Sequence, residues 1–355
     1  MVVHNKTKSI IKNVLKIGFA LLLILWMLSS GKLDFSKLSI IISEPKIIVA
    51  SFFTWLFAVI FLQSIRWYLL LTGANYKITL QRTVKLTFIG LFFNTAMPGS
   101  VGGDLIKVIY VIRDNRNRGK TPALMTVLLD RLVGFFGLFV MGFTLMMFNI
   151  REIWSNILLR PLVGICAAFL CIMIIMYVFV KIPFKDDRDP FLKFFSMNIP
   201  GMKTLQKIYR ALRQYHHKSS YLVYGLVLSI MVQCAFFLCF VIIATTMTDM
   251  SHAKSLFSTL GVVFPIGVLT AALPISPGGF GVGHVAFEQL FNMVGLSNGA
   301  NIYNVFFLCQ LVLNLLGAFS YIFERKPVTS EEQAAIEKSA EAESFASVAD
   351  NLQKG

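Results

Sequence analysis

Seven ionisable residues lie in or beside the apolar stretches of this chain: Arg66, Asp104, Lys107, Asp130, Arg131, His284 and Glu288. An ionised side chain at the centre of a membrane helix costs roughly 2.5–3.5 kcal/mol on insertion scales, so such residues persist when paired or functional. Asp104 and Lys107, at i and i+3, share one helix face. Asp130 and Arg131 are neighbours, so they point about 100° apart and each needs a partner on another element. The expected pairs are Asp104 with Arg131, and Asp130 with Lys107 or Arg66. Three cations against two carboxylates leave one positive charge, which suits a phosphate. His284 and Glu288, at i and i+4, could bind a headgroup or relay a proton.

Each residue also has a plainer reading. Asp130 and Arg131 could be structural ion pairs that fix helix packing. Arg66, beside Trp67 and Tyr68 near the end of its apolar stretch, could snorkel to the interface. Lys107 could simply open a basic loop. His284 and Glu288 could be a hydrogen-bonded pair near the outer interface.

Two turns accompany these residues. The first is Pro98-Gly99-Ser100-Val101-Gly102-Gly103-Asp104, and the second is Pro274-Ile275-Ser276-Pro277-Gly278-Gly279-Phe280-Gly281. Paired Gly/Pro interruptions of membrane segments point to a transporter-type binding site. Lipid cannot satisfy interrupted backbone, so such breaks line a wet or protein-enclosed cavity. Backbone amides at a helix start attract anions, which makes Gly99, Gly102 and Gly103 candidate phosphate contacts, with Asn94 just before them. No Gly-Lys-Ser/Thr follows, so the first turn is not a P-loop. Glycine turns can equally be packing points.

The elements that must position these groups are membrane helices. The chain is 56% hydrophobic and only 14% charged, with long apolar runs. That composition predicts an all-α polytopic membrane protein. Spans are expected at about 13–30, 47–72, 122–149, 156–181, 221–246 and 300–323, the first as a retained helix and not a cleaved signal peptide. Two broken segments, about 83–112 and 255–296, lie between them.

Charge sets their direction. The net charge is +15, and the last 25 residues carry −4 of it. The segment 107–120 is basic, and 181–218 holds nine Lys/Arg, so both read as cytoplasmic. The loop 73–85 reads the same way, as do both termini of a chain placed in the cytoplasmic (inner) membrane. Three lysines in 31–46, on the predicted outside, run against the rule. With 73–85 and 107–120 on one side, 83–112 must enter and return. The same count makes 255–296 a hairpin from the opposite face, although 256–273 is long enough to span. Together these give an inverted repeat. The membrane unit is expected over 1–325, with 185–220 as a cytoplasmic amphipathic loop or plain linker. An acidic, disordered tail is expected over 326–355.

Several classes are excluded. Neither soluble stretch reaches the size of an independent domain. No catalytic motif stands out. No metal-ligand spacing, cofactor motif or nucleic-acid module is present.

Three motifs in order resemble the lysylphosphatidylglycerol synthase transmembrane-region family, also called flippase-like or UPF0104. They are Pro98-Gly99…Gly102-Gly103-Asp104…Lys107, then Asp130-Arg131, then Ser276-Pro277-Gly278-Gly279-Phe280-Gly281. Arg66-Trp67 is similar to the family's Arg-Trp pair. The resemblance covers about 10–325 and implies lipid handling, a membrane lipid as substrate, and a separate soluble synthase or glycosyltransferase as a partner. Two departures stand out. Lys107 replaces the family's usual Arg, and Gly283-His284 replaces Arg-Glu after the late turn. The reading is movement of an anionic, aminoacylated or polyprenyl-phosphate lipid between leaflets. Arg66, Lys107, Arg131 and the turn amides would hold phosphate in a groove between the hairpins. A headgroup transferase and a membrane anchor for another enzyme are the rival readings. A homo-oligomer is left open.

Overall fold

The computed structural model describes residues 38–96, 102–115, 120–148, 150–155, 157, 160–182, 194, 206, 209, 215, 218–247, 253–271 and 282–324. After a short α1 (Leu38–Ser43), Pro45 opens a 29-residue rod, α2 (Pro45–Gly73). Proline suits a first helical turn, where its missing N–H costs no hydrogen bond. The middle of α2, Trp55–Leu62, is π-helical. The rod ends in a left-handed Asn75 (φ 63°), with the Tyr76 amide reaching back to the Leu71 carbonyl at 2.9 Å.

A hairpin follows, α3 (Leu80–Ala96) and α4 (Gly102–Asp114). Its base is closed by Arg82, which donates to Asp114 at 2.7 Å. Near its tip the Gly103 amide donates to the Asn94 side chain at 2.9 Å. The arms nearly touch: a Cβ on Gly103 would lie 1.8 Å from the Gly90 carbonyl oxygen. The expected entry and return of 83–112 is therefore observed. Next come α5 (Lys120–Phe148), a short α6 (Ile150–Ser155) and α7 (Arg160–Lys181).

The second half repeats the pattern. A 29-residue rod, α8 (Ser219–Met247), leads to a second hairpin, α9 (Ala253–Ala271) and α10 (Val282–Met293). Gly267 of α9 faces the Phe287 ring of α10, so these arms also run antiparallel. The closing rod, Gly299–Ile322, comprises α11 (Gly299–Leu315) and α12 (Gly317–Ile322).

Helix packing carries the repeat further. Rod packs on hairpin and on closing helix in both halves: α2 on α3 and α5, α8 on α9 and α11. The halves also interlock crosswise. α5 packs on α9 of the other hairpin, and α11 packs on α3. The two long rods α2 and α8 meet antiparallel at the centre, with Ser51 beside Cys239 and Arg66 beside Ser229.

The hairpins insert from opposite ends, as the inverted repeat requires. The closing rod is 24 residues long, or about 36 Å at the α-helical rise. At its far end Glu324 takes Arg82 at 2.7 Å and Lys85 at 2.9 Å, at the base of the first hairpin. At its near end the Ala300 amide donates to Glu288 of the second hairpin at 2.9 Å.

Four helices among the described residues are long and apolar enough to cross a membrane: Pro45–Gly73, Pro122–Phe148, Ser219–Met247 and Gly299–Ile322. These match four of the six expected spans. The expected 13–30 lies outside the described residues, as does the tail 326–355. The expected span at 156–181 corresponds to α7, a helix of 22 residues. The arm 256–273 belongs to α9, of 19 residues, and turns back into α10 instead of standing alone as a span.

Candidate functional site

The ionisable residues of the first half gather where α2, α4, α5 and α8 meet. Arg66 is 5% exposed, so it does not snorkel. Its guanidinium forks onto Asp130, with Nε to Oδ1 at 2.7 Å and Nη2 to Oδ2 at 3.1 Å. Its Nη1 donates to the Ser229 hydroxyl at 2.9 Å, and Ser229 in turn donates to the Gly225 carbonyl at 2.9 Å. A buried pair is tolerable when hydrogen bonds offset the lost hydration, and here Arg66 donates three, two of them to Asp130. Gly134 clears the space; a Cβ there would sit 3.3 Å from the guanidinium.

The second cluster centres on Asp104, itself buried. Arg131 donates to Asp104 through Nε, Lys107 lies 3.3 Å away, and the Asn94 amide approaches to 3.4 Å. Of the two expected partners for Asp130, the structure selects Arg66. Lys107 turns instead to Asp104, on its own helix face. Its ammonium also sits 4.9 Å from the centre of the Trp67 ring, a cation–π contact. Its stem fills the notch left by Gly90, where a Cβ would meet it at 2.5 Å.

Two pairs of adjacent residues thus divide between the clusters. Arg66 and Asp130 face each other beside α8, while Trp67 and Arg131 face the hairpin arm α4. The angular step between neighbouring helical residues makes that division. The clusters differ in access. The Arg66 and Asp130 side chains are 6% and 11% exposed, whereas Arg131 is 42% exposed.

His284 and Glu288 of the second hairpin do not bond each other. His284 lies 3.2 Å from Asn304 and edge-on to Tyr303, and Glu288 holds the Ala300 amide. Both tie α10 to α11. Gly102 and Gly103 are buried at the start of α4. Gly99, Pro277, Gly278, Gly279 and Gly281 lie outside the described residues. Among the described residues, α5 packs on both α4 and α9, and α11 on both α3 and α10.

Sequence reasoning missed several contributors. Ser229 sits inside an apolar run, and its Gly225-x-x-x-Ser229 spacing was the available signal of close helix approach. Tyr215 is fully buried, seats its ring on Gly73 and donates to the Leu70 carbonyl at 2.6 Å, just beyond Trp67 on α2. Trp55 donates to Asn314 at 2.9 Å, and Asn314 donates to Thr95 at 3.2 Å, linking α2, α11 and the first hairpin.

Comparison with known proteins agrees with this architecture. Residues 13–317 match the family described as Lysylphosphatidylglycerol synthase TM region. The UPF0104 membrane protein PH1989 of Pyrococcus horikoshii is 30% identical over 114 residues, which is 32% of this chain and 33% of that protein. The chain therefore aligns with about a third of the length of this relative. No solved structure matches. With a match spanning both hairpins and the rods around them, the chain belongs to the lysylphosphatidylglycerol synthase transmembrane-region family.

Proposed function

We propose that this protein moves a phosphate-bearing lipid between membrane leaflets. The substrate class is an anionic or aminoacylated phospholipid, or a polyprenyl-phosphate lipid. The observation that carries the reading is one buried carboxylate, Asp104, shared by two cations, Lys107 and Arg131, on an interrupted hairpin. Glu324 also takes two cations, Arg82 and Lys85, but at the base of the hairpin, whereas the Asp104 cluster lies at the start of α4, beside the Gly/Pro interruption. A second cation on the same carboxylate supplies positive charge for a phosphate, and Arg131 is the accessible one. The acyl or prenyl tails stay in the bilayer while the headgroup passes along α4 and α5.

In this reading Asp104 orients Lys107 and Arg131, and the Arg66–Asp130 pair locks α2 to α5 behind them. In the same reading the protein lies in a cytoplasmic membrane, and by the positive-inside rule the end carrying Lys77, Arg82, Lys85 and Arg113, with Glu324, faces the cytoplasm. Movement is passive or gradient-coupled. A separate soluble synthase or glycosyltransferase would supply or use the lipid.

The test is reconstitution in liposomes containing headgroup-labelled lipids, with chemical quenching from outside. Wild-type protein is expected to expose inner-leaflet label to quencher, and Arg131→Ala to slow this by at least about tenfold, the equivalent of one lost charge-assisted contact. Equal quenching of empty and protein-bearing vesicles across all lipids would rule the reading out. Chemical turnover of the lipid by purified protein would favour a transferase instead.

A further inference from the structure

Resting on the translocation reading above, we infer a second binding site on α11, centred on Gln310, that takes uncharged hydroxyl groups of the lipid headgroup. The inference comes from one face of the closing rod and from what that face meets at the inner ends of the two hairpins.

Helical spacing sets the face. Tyr303, Phe307, Gln310 and Asn314 stand at i, i+4, i+7 and i+11, so they line one stripe of α11. At one end of the stripe, His284 meets Tyr303 and Phe307 edge-on, with ring centres 5.0 and 6.4 Å apart, and lies 3.2 Å from Asn304. His284 belongs to the first turn of α10. At the other end, Asn314 donates to Thr95 at 3.2 Å, in the last turn of α3. Gln310 lies between these two contacts, about 6 Å along the axis from Asn314 at the α-helical rise. The hairpins enter from opposite ends, so Gln310 sits at depth, between the inner end of one and the inner end of the other.

The chemistry of this stretch is polar and neutral. No Asp, Glu, Lys or Arg occurs from 299 to 323. The Gln310 side-chain N–H group is buried and has no hydrogen-bond partner. A buried donor without a partner is costly, and a ligand that pairs with it removes that cost. An anion would find no cation on this rod, and an unpaired buried charge costs far more than a hydrogen-bonded hydroxyl. A hydroxyl both donates and accepts, as a carboxamide does, so the two are complementary whichever group leads. The Thr95 oxygen accepts from Asn314, which leaves its own O–H to donate to a ligand oxygen.

The end of α3 ties this site to the charged cluster. Asn94, the neighbour of Thr95, turns the other way: it accepts the Gly103 amide at 2.9 Å and approaches Asp104 to 3.4 Å. Adjacent helical residues thus present one polar group to each site. A headgroup with its phosphate at the Asp104 cluster places its hydroxyls round the end of α3, towards Gln310.

The experiment uses the full-length protein in liposomes of otherwise neutral lipid, with chemical quenching of an acyl-chain label from outside. Separate samples carry phosphatidylglycerol, phosphatidylmethanol, or entrapped sorbitol. The two lipids share one phosphodiester charge, and only the first bears hydroxyls. Phosphatidylglycerol is expected to move about tenfold faster in the wild type, the ratio that one well-made hydrogen bond supplies. Gln310→Met, close in shape and without the amide, should bring the two rates together by slowing phosphatidylglycerol. Its melting temperature should match or exceed that of the wild type, because the lost amide had no partner to lose. Equal rates for the two lipids in the wild type would overturn the inference while leaving lipid translocation standing. So would a Gln310→Met protein that keeps the full ratio, or one that melts well below the wild type, which would assign the side chain to packing. No acceleration of either lipid over empty vesicles would overturn both readings. Release of sorbitol without lipid movement would mean that the site serves a soluble polyol, and would overturn both as well.

Discussion

The two halves of this molecule share a plan and differ in chemistry. Each has a long rod, a hairpin and a closing rod, packed in the same order and interlocked crosswise. In the first half, the hairpin arm α4 meets its closing rod α5 through ions, with Asp104 against Arg131 and Lys107. In the second, α10 meets α11 through neutral groups and one backbone amide, with His284 against Asn304 and Glu288 against Ala300. Rings cover the rest of that contact: Phe287 stacks on Tyr303 at 4.7 Å, and Phe240 packs on Phe287 and Phe306. An apolar, aromatic seam is a packing solution. A charged seam in the same place is a poor packing solution and a good recognition surface. The comparison teaches that architecture alone does not locate function in a duplicated fold; the half that departs from cheap packing does.

The comparison can be broken most directly at the buried fork. Asp130→Ala strands the Arg66 guanidinium and should cost about 3–5 kcal/mol, read as a large fall in thermal stability of the detergent-solubilised protein. His284→Ala removes one neutral contact in the second half and should cost about 1 kcal/mol. Equal losses would mean that both halves are held the same way. A smaller effect tests the arm crossing. Gly103→Ala places a methyl group into the Gly90 carbonyl and should cost about 1–3 kcal/mol through forced separation of the arms. Gly164→Ala in α7, with nothing within 4 Å of the new methyl, should be neutral in the same melt.

The smallest expected effect concerns the two hairpin bases, each held by a glutamate. Burial raises the Glu324 carboxyl pKa, but the Lys85 and Arg82 contacts outweigh it and hold the carboxyl below its ordinary value. A depressed folded-state pKa contributes stability that is fully present above the unfolded carboxyl pKa, and is lost as pH falls through the folded one. Protection of the α3 amides, taken relative to their intrinsic exchange rate at each pH, should therefore fall at acid pH in the wild type. Glu324→Gln should show that lower protection already at neutral pH, by roughly 1 kcal/mol, and little further change on acidification. Glu288→Gln should leave α3 untouched. Acid-insensitive protection in the wild type would show that Glu324 does not latch the first hairpin.

Much of this arrangement was legible in the sequence, for reasons that can be stated. The first hairpin was readable because positive charge flanked it on both sides and its arms were short. The Asp104–Arg131 contact was readable because adjacent ionised residues in one helix must find partners on different elements. The fate of Arg66 was not readable. Its proximity to Trp67 and Tyr68 resembled an interfacial belt, but Trp67 is 1% exposed and Ser229 supplies the third contact. A lone hydroxyl barely changes the hydropathy of a 29-residue apolar rod, so only its spacing from Gly225 marked it. The crosswise packing of α5 on α9 and α11 on α3 was not legible, because it joins segments far apart in sequence. Periodicity within each segment carries no trace of such contacts. The second hairpin was harder to read, because 256–273 was long enough to span, and α9 has that length.

The π-helical stretch of α2 has a consequence for how this rod tolerates change. Trp55, at its start, must point at Asn314, and Arg66, just past its end, must point at Asp130. Each wider turn takes up an extra residue, so the stretch works as a phase adjuster that keeps both side chains on target along one rod. A single-residue insertion or deletion between Trp55 and Leu62 would swing the guanidinium by roughly 100° relative to the indole, the angular step of one helical residue. The first half would then lose its internal fork with every charge still in the chain.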